Sequence, residues 1–189
     1  MPTHDTGRKD STLALRAVLG CIGCLGLLAL GGCGANGIHL GGPASLKAQL
    51  SPTKGSTASG LMTFRQQGKE VLIQGSFDGL TPGAHGLHIH EGSDCGGVNA
   101  RNAGGHLNPA GVRHGSPASP AHHLGDLPML TAGKDGQARF QARMDGLTLD
   151  KGPKGISGRT VIVTARPDDF TTQPDGNSGP AVACGVIQP

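Results

Sequence analysis

The sequence predicts an all-β fold, either a sandwich or a barrel. The first reason is composition, because 34 of the 189 residues are Gly and 13 are Pro, while Trp and Tyr are absent. The second is a series of short strand-like runs separated by Gly and Pro turns, which is typical of such folds. The third is that the chain shows no convincing helical stripe of apolar residues.

Eight strand-like segments follow one another along the chain. They cover residues 45–51, 60–67, 71–77, 86–91, 126–132, 136–144, 158–166 and 181–187. Residues 79–86 are predicted to form a turn, and two long loops are predicted over 92–124 and 167–180. Connections between strands or helices usually have about 4 to 6 residues. A loop as long as the first one is therefore expected to be ordered only if it has a function or is held by an internal cross-link.

The N-terminus has the features of an export signal. Arg8, Lys9 and Arg16 precede an apolar run over 17–30, which is shorter than the roughly 20 residues needed to span a bilayer. The run ends in LGGC, which resembles a bacterial lipobox with Cys33 as the residue that accepts the lipid. Ordinary cleavage nearby, or an uncleaved anchor, is the alternative interpretation.

This interpretation divides the chain into three parts. Residues 1–32 are predicted to be a lipoprotein signal peptide, 33–45 a flexible tether and 46–189 the folded domain. The predicted location is the bacterial cell envelope, either lipid-anchored or periplasmic. Residue 34 is Gly and not Asp, which by resemblance to Gram-negative lipoproteins favours the outer membrane.

Charge gives no indication of a nucleic-acid partner. The net charge of the chain is only +3, and no basic stripe with interleaved aromatic residues is present. We therefore expect contact with a membrane through the lipid anchor only.

Two cysteines, Cys95 and Cys184, are left in the predicted mature domain besides Cys33. An even pair in an oxidising compartment is most simply a disulfide, and two buried thiols are the alternative.

Histidines are concentrated in one part of the chain, since seven of the nine lie between residues 85 and 123. His88 and His90 are two apart in a strand-like run and therefore face the same side, as two ligands of one metal would. His85 faces the other way and is predicted to be a hydrogen-bonding structural residue. The long loop adds His106, His114, His123 and Asp126, a complete tetrahedral set for zinc that would also staple the loop. His122 is predicted to be exposed.

These motifs together resemble a known family. The segments GLHIHEGSDC, AGGHLNPAGVRHG, HLGDLP, GRTVIV, DD and ACGVI occur in this order over residues 45–188. They are similar to Cu/Zn superoxide dismutase, and AGGHLNP and HLGDLP are close to its bacterial periplasmic type.

The resemblance implies an eight-stranded Greek-key β-barrel with a metal-binding loop and a second active-site loop. It implies a disulfide between Cys95 and Cys184, and it makes Asp168 the aspartate that links a copper histidine to a zinc histidine. It implies copper and zinc as cofactors and superoxide as the substrate, with His106 bridging the metals and shuttling a proton. A homodimer is a further expectation, because the bacterial type uses a dimer surface. The implied copper ligands are His88, His90 and His106, and the implied zinc ligands are His106, His114, His123 and Asp126.

The sequence departs from the family pattern on the copper side. Thr164 stands at the position of a fourth copper histidine, and a hydroxyl is a poor ligand for copper beside imidazole. Ala181 stands where the family has an arginine at the mouth of the copper channel. Residues 167–180 contain no Lys or Arg, so they offer little positive field to an anion. Arg166, two residues after Thr164 and on the same side, is a candidate substitute.

Two functions follow from this pattern. The first is a superoxide dismutase of the bacterial envelope whose activity is reduced by the changes at Thr164 and Ala181. The alternative is a catalytically inactive, dismutase-like lipoprotein that binds zinc or copper. A surface protein without any metal function is disfavoured, because six residues match metal ligands of the family.

Overall fold

The structure, a computed structural model, describes residues 45–189. Within this range it contains nine strands and one short 3-10 helix, Val98–Ala103. The predicted signal peptide, Cys33 and all of the predicted tether except Ser45 lie outside the described residues. Ser45 itself begins the first strand. The strands are β1 (Ser45–Pro52), β2 (Ser59–Gln67), β3 (Glu70–Asp78), β4 (Gly83–His85), β5 (Leu87–His90), β6 (Leu130–Ala132), β7 (Ala138–Asp145), β8 (Thr160–Thr164) and β9 (Ala181–Gln188).

Seven of the strands form one antiparallel sheet in the order β5-β8-β9-β1-β2-β3-β7, and β4 pairs with β6. Only Gly86 separates β4 from β5, so together they act as one bent strand, and the count is then eight. Strands distant in sequence are neighbours, as in β1 with β9 and β3 with β7, which a Greek-key arrangement requires. The curled sheet confirms the predicted all-β fold.

The core lies inside the curled sheet and follows from the alternation of apolar and polar residues. Leu46, Ala48 and Leu50 of β1 are buried and alternate with exposed residues. Met62 and Phe64 on β2 follow the same rule and are fully buried. Each large side chain of this kind stabilises the fold by about 1.5 to 3 kcal/mol through burial.

Strands β5 and β8 differ from the others because both of their faces are covered. Leu87 and Ile89 point into the core, whereas His88 and His90 point to the opposite side. His88 is nevertheless fully buried and His90 is partly buried. The outer face of β5 is therefore covered by other parts of the chain, and this is where the histidines gather.

Three elements differ from the sequence-based predictions. The predicted strand 126–132 is a strand only over Leu130–Ala132, because Asp126 joins the long loop and Pro128 has no N–H to donate to a ladder. The predicted turn 79–86 contains the short strand β4. The long loop contains the 3-10 helix, which no periodicity in the sequence indicates.

A disulfide between Cys95 and Cys184 ties the long loop to β9, with the two Cα atoms 5.8 Å apart. The two residues are 89 apart in sequence, and closing a loop of that length is worth about 4.5 kcal/mol in the chain-entropy account. In the described range, 45–189, no helix is long and apolar enough to cross a membrane.

Candidate metal centre

The long loop is attached to β5 by backbone hydrogen bonds. The Ile89 N–H donates to the Gly125 carbonyl over 2.9 Å, and the Leu107 N–H donates to the Ile89 carbonyl over 2.8 Å. A side chain at Gly125 would meet the Ile89 carbonyl oxygen at 2.1 Å, so this close approach requires glycine. The pairing sets His106 beside His90 and Asp126 beside His88.

The four predicted zinc ligands come together in one buried group. The ligand atoms of His106, His114, His123 and Asp126 all lie within 4.8 Å of one another. Asp126 Oδ1 is 2.8 Å from His106 Nδ1, 3.1 Å from His114 Nδ1 and 3.5 Å from His123 Nδ1. Three ring nitrogens and one carboxylate oxygen are the number and kind of ligands that zinc prefers.

In two histidines of this group the opposite ring nitrogen is already occupied. His114 Nε2 donates to Asp168 Oδ1 over 2.9 Å, and His123 Nε2 donates to the Val112 carbonyl over 3.1 Å. The Nδ1 atom of His114 is buried and, despite its short distance to Asp126, makes no hydrogen bond of acceptable geometry to any described residue. Such an atom is costly to bury unless a further partner, such as a metal ion, is bound.

The three predicted copper ligands form the adjoining group. The ligand atoms of His88, His90 and His106 also lie within 4.8 Å of one another. His90 Nδ1 donates to the Gly104 carbonyl over 2.8 Å, which leaves His90 Nε2 buried and unpaired among the described residues. His88 Nδ1 is likewise buried and unpaired. Since His106 Nδ1 faces Asp126, its Nε2 is left for this group, so the chain supplies three nitrogens here.

The charge states of most of these residues suit metal binding. His114 differs: burial by itself would lower its pKa, but the hydrogen bond to Asp168 and the charge of Asp126 outweigh burial and raise it. Burial lowers the pKa of His88 and of His106, and burial together with the neighbouring His106 lowers the pKa of His90 to about 4. Burial by itself would raise the pKa of Asp126, but hydrogen bonds from His106 and Gly115 outweigh it and bring the pKa to about 2. Neutral imidazoles and an ionised carboxylate are the forms that bind metals.

Asp168, on the second long loop, connects the two groups. Its Oδ2 accepts from His88 Nε2 over 2.7 Å, and its Oδ1 is the acceptor for His114 Nε2. A side chain at Gly176 would lie 1.8 Å from Asp168 Oδ1, so the loop can approach only with glycine at that position. Hydrogen bonds of this kind fix the orientation and tautomer of ligand rings.

Thr164 supplies no nitrogen to the copper side. Its side chain is buried, and its Oγ1 lies 3.3 Å from both the Gly86 and the Arg166 carbonyl oxygens. The Arg166 guanidinium donates to the Asn177 carbonyl and to Asn177 Oδ1 over 3.0 and 2.9 Å. Arg166 is thus held on the second loop.

A cavity of about 280 Å³ opens beside the copper-side histidines. We call it the copper-side cavity, and Arg166 does not line it. Its wall includes His90, His106, Thr164, Arg101, Asp175 and Ala181.

Sequence reasoning missed two of the residues at this site. Gln173 clamps the loops together, because its Oε1 accepts from the His114 N–H and its Nε2 donates to the His114 carbonyl, both over 2.9 Å. Arg101 lines the copper-side cavity. Neither residue belongs to a motif, and only the folding of the loops brings them to the site.

The other two histidines of the region are not among these groups. His85 is buried, and its Nδ1 and Nε2 lie 2.8 Å from the Thr164 and Thr81 carbonyl oxygens, in keeping with a structural role. His122 is partly buried, contrary to the expected exposure, because its Nδ1 donates to the His123 carbonyl over 2.7 Å.

Comparison with known proteins agrees with this site. A sequence model of the copper/zinc superoxide dismutase family matches residues 58–187, more than half of the chain. A Cu-Zn superoxide dismutase of Deinococcus radiodurans is 38% identical over 158 residues, which cover 78% of this chain and 86% of that protein. The crystal structure of the clock protein EA4 is similar with a TM-score of 0.70 and 37% identity, covering 77% of this chain and 94% of that one. The chain therefore belongs to the copper/zinc superoxide dismutase family.

Proposed function

We propose that this protein is a superoxide dismutase of the bacterial envelope with reduced activity, converting superoxide to oxygen and hydrogen peroxide. Its family binds copper and zinc and acts on superoxide. The observation that carries the proposal is the pair of unpaired, buried nitrogens, His88 Nδ1 and His90 Nε2, beside a complete zinc group. The activity is reduced because Thr164 adds no fourth nitrogen.

The roles of the residues follow from their contacts. His106, His114, His123 and Asp126 would hold zinc, and His88, His90 and His106 would hold copper. Copper, when bound, supplies the one-electron oxidation and reduction that superoxide dismutation needs. Asp168 keeps the rings of His88 and His114 in place through both of its oxygens.

His106 is the residue best placed to handle a proton. Its Nδ1 is held by Asp126 over 2.8 Å, which orients the ring and leaves Nε2 toward the copper side. His106 is only 8% exposed as a residue, but it lines the copper-side cavity, so Nε2 has access to substrate and water. We assign the uptake and release of the substrate proton to this atom.

Thr164 favours a second candidate function, a catalytically inactive protein that binds zinc or copper. Three imidazoles suit Cu(I), whereas Cu(II) prefers four donors in a plane. A site limited to three nitrogens therefore favours one oxidation state, and dismutation needs both.

Metal content and dismutase activity, measured on one purified sample, separate the two functions. We expect one zinc and one copper per chain after loading with both metals, and dismutation slower than that of a family member with four copper histidines. The proposal is wrong if the copper-loaded protein has no dismutase activity. A sample that binds zinc but no copper would also exclude copper binding as the second function. The double variant His88→Ala/His90→Ala, which lacks copper ligands but keeps the zinc group, is the control for activity from free copper.

The envelope location is part of the proposal. It is supported by the apolar run over 17–30 followed by Cys33, and by the disulfide between Cys95 and Cys184, which is typical of exported proteins. We expect the mature chain to begin at Cys33, to carry lipid and to fractionate with the outer membrane. Intact-mass analysis of the wild type and of Cys33→Ala tests this, and an unmodified wild-type Cys33 would contradict it.

A further inference from the structure

We propose that Arg101 is the anion-binding residue of the copper-side cavity, where it attracts a small monoanion toward His90 and His106. The inference rests on the proposed function, because superoxide is the monoanion concerned. It assigns to the 3-10 helix a task that the family assigns to the position of Ala181.

The first observation is the position of Arg101 on the cavity wall. The copper-side cavity is lined by both Thr164 and Ala181, the two positions at which the sequence resemblance implies a departure from the family. Among the described residues that line it, Arg101 is the one Lys or Arg. A second cavity also reaches His90 and His106 and contains Arg113, but neither Thr164 nor Ala181 belongs to it.

The second observation is the packing of the 3-10 helix on β9. Ala100 and Ala103 are buried in one small cluster with Ile162, Ala181 and Cys184. The small side chain at Ala181 is therefore in the same cluster as the helix that carries Arg101. The cation on this helix takes the place of the arginine that the family carries at the position of Ala181. Ala181 itself forms part of the cavity wall.

The third observation is that the backbone before Arg101 is held in an unfavourable conformation. Asn99 and Ala100 both have a φ of 55°, in the left-handed region that residues other than glycine seldom adopt. Such residues persist only where the surrounding structure determines them, and they cluster at functional sites. Here they form a kink in the helix directly before Arg101.

Contacts between the helix and the segment that precedes it hold the backbone here. Asn102 Nδ2 donates to Asp94 Oδ2 over 2.6 Å, and the Asn102 N–H donates to the Gly96 carbonyl over 3.1 Å. Between these acceptors, Cys95 is bonded to Cys184. The backbone next to Arg101 is thus held by a disulfide and a hydrogen-bonded turn.

The fourth observation is the availability of the guanidinium. Arg101 is exposed and makes no ion pair and no side-chain hydrogen bond with another residue in the range 45–189, whereas Arg166 is held by Asn177. Asp175 also lines the cavity and opposes an incoming anion. Arg101 therefore supplies the attraction that the second loop, with its acidic residues, does not supply.

Azide, a small monoanion, tests the proposal on the zinc-loaded, copper-free protein. NMR follows the Arg101 Nε–H signal and the His90 and His106 ring signals during the titration. We expect saturable shifts in the wild type and about fivefold weaker binding in Arg101→Ala, the range of an exposed charge pair. The double variant Arg101→Ala/Ala181→Arg should recover the affinity, and Asp175→Asn should raise it. Arg65→Ala, which removes an exposed charge on β2, should leave it unchanged.

The outcomes separate this proposal from the proposed function. Azide binding that is absent in the wild type, or equal in Arg101→Ala, or equally weakened in Arg65→Ala, overturns the role of Arg101. Dismutase activity of the copper-loaded samples is measured separately. An inactive wild type that binds azide through Arg101 overturns only the dismutase function, whereas an active wild type with azide binding independent of Arg101 overturns only this inference.

Discussion

Replacing Thr164 by histidine is expected to raise both the affinity for copper and the rate of dismutation. The variant adds a fourth nitrogen to His88, His90 and His106, which is the number that Cu(II) prefers in a plane. Loss of even an outer partner of a metal ligand costs about 10- to 100-fold in affinity or activity, so the gain of a direct ligand should be at least of this size.

The structure has room for this histidine. Thr164 lies on the wall of the copper-side cavity, so a longer side chain can extend into about 280 Å³ of free space. The hydroxyl that would be lost makes only two long contacts of 3.3 Å to carbonyl oxygens. The substitution therefore removes little that stabilises the fold.

Copper titration and stopped-flow dismutation, each with wild type and variant, measure the effect. Ala165→His is the matched control, because the next residue along the chain faces the other side and lines a cavity with Leu80 and Val182. It should change neither copper affinity nor rate. If Thr164→His behaves like Ala165→His, Thr164 does not stand at the position of the missing copper ligand.

Replacing Asp126 by alanine is expected to abolish tight zinc binding and to destabilise the domain. Asp126 is fully buried and accepts from His106 Nδ1 over 2.8 Å and from the His123 and Gly115 backbone N–H groups over 2.8 and 3.2 Å. The variant leaves these donors unpaired in a buried site. Each buried donor that loses its acceptor costs about 1 to 3 kcal/mol, and the sum over these donors corresponds to a fall in Tm of about 10 °C or more for a domain of this size.

Thermal unfolding with and without zinc checks this prediction. Wild type should gain stability on zinc addition, because a ligand that binds only the folded state stabilises it, whereas Asp126→Ala should not. Asp78→Ala is the control, since Asp78 is exposed at the end of β3 and belongs to neither histidine group. Equal zinc stabilisation of wild type and Asp126→Ala would show that Asp126 is not a zinc ligand.

The strands that line the core were predictable because their signal is local. Alternation of apolar and polar residues in β1 and β2 depends only on which side of a strand each residue faces. The same rule set His88 and His90 on one side of β5 before any contact was known. The alternation did not predict residues 126–129 correctly, because residues 125 and 126 pair with β5 and with Leu107 as part of the loop.

Most of the candidate ligands were also predictable, because three histidines and one aspartate spaced along a loop without periodicity are typical of a metal site. The spacing could not predict which nitrogen of each ring is available to bind a metal. That choice depends on the second partner of each ring, which is Asp168 for His88 and His114, and the Gly104 carbonyl for His90.

The sequence by itself determined the all-β class, the family resemblance and the two groups of candidate ligands, because these depend on residue type and spacing along the chain. It also led to the expectation that Thr164 and Ala181 depart from the family pattern. Only the tertiary structure decided that Arg166 is held by Asn177 and that Arg101 lines the cavity beside Ala181. Such contacts join loops that are far apart in sequence, and no local pattern encodes them.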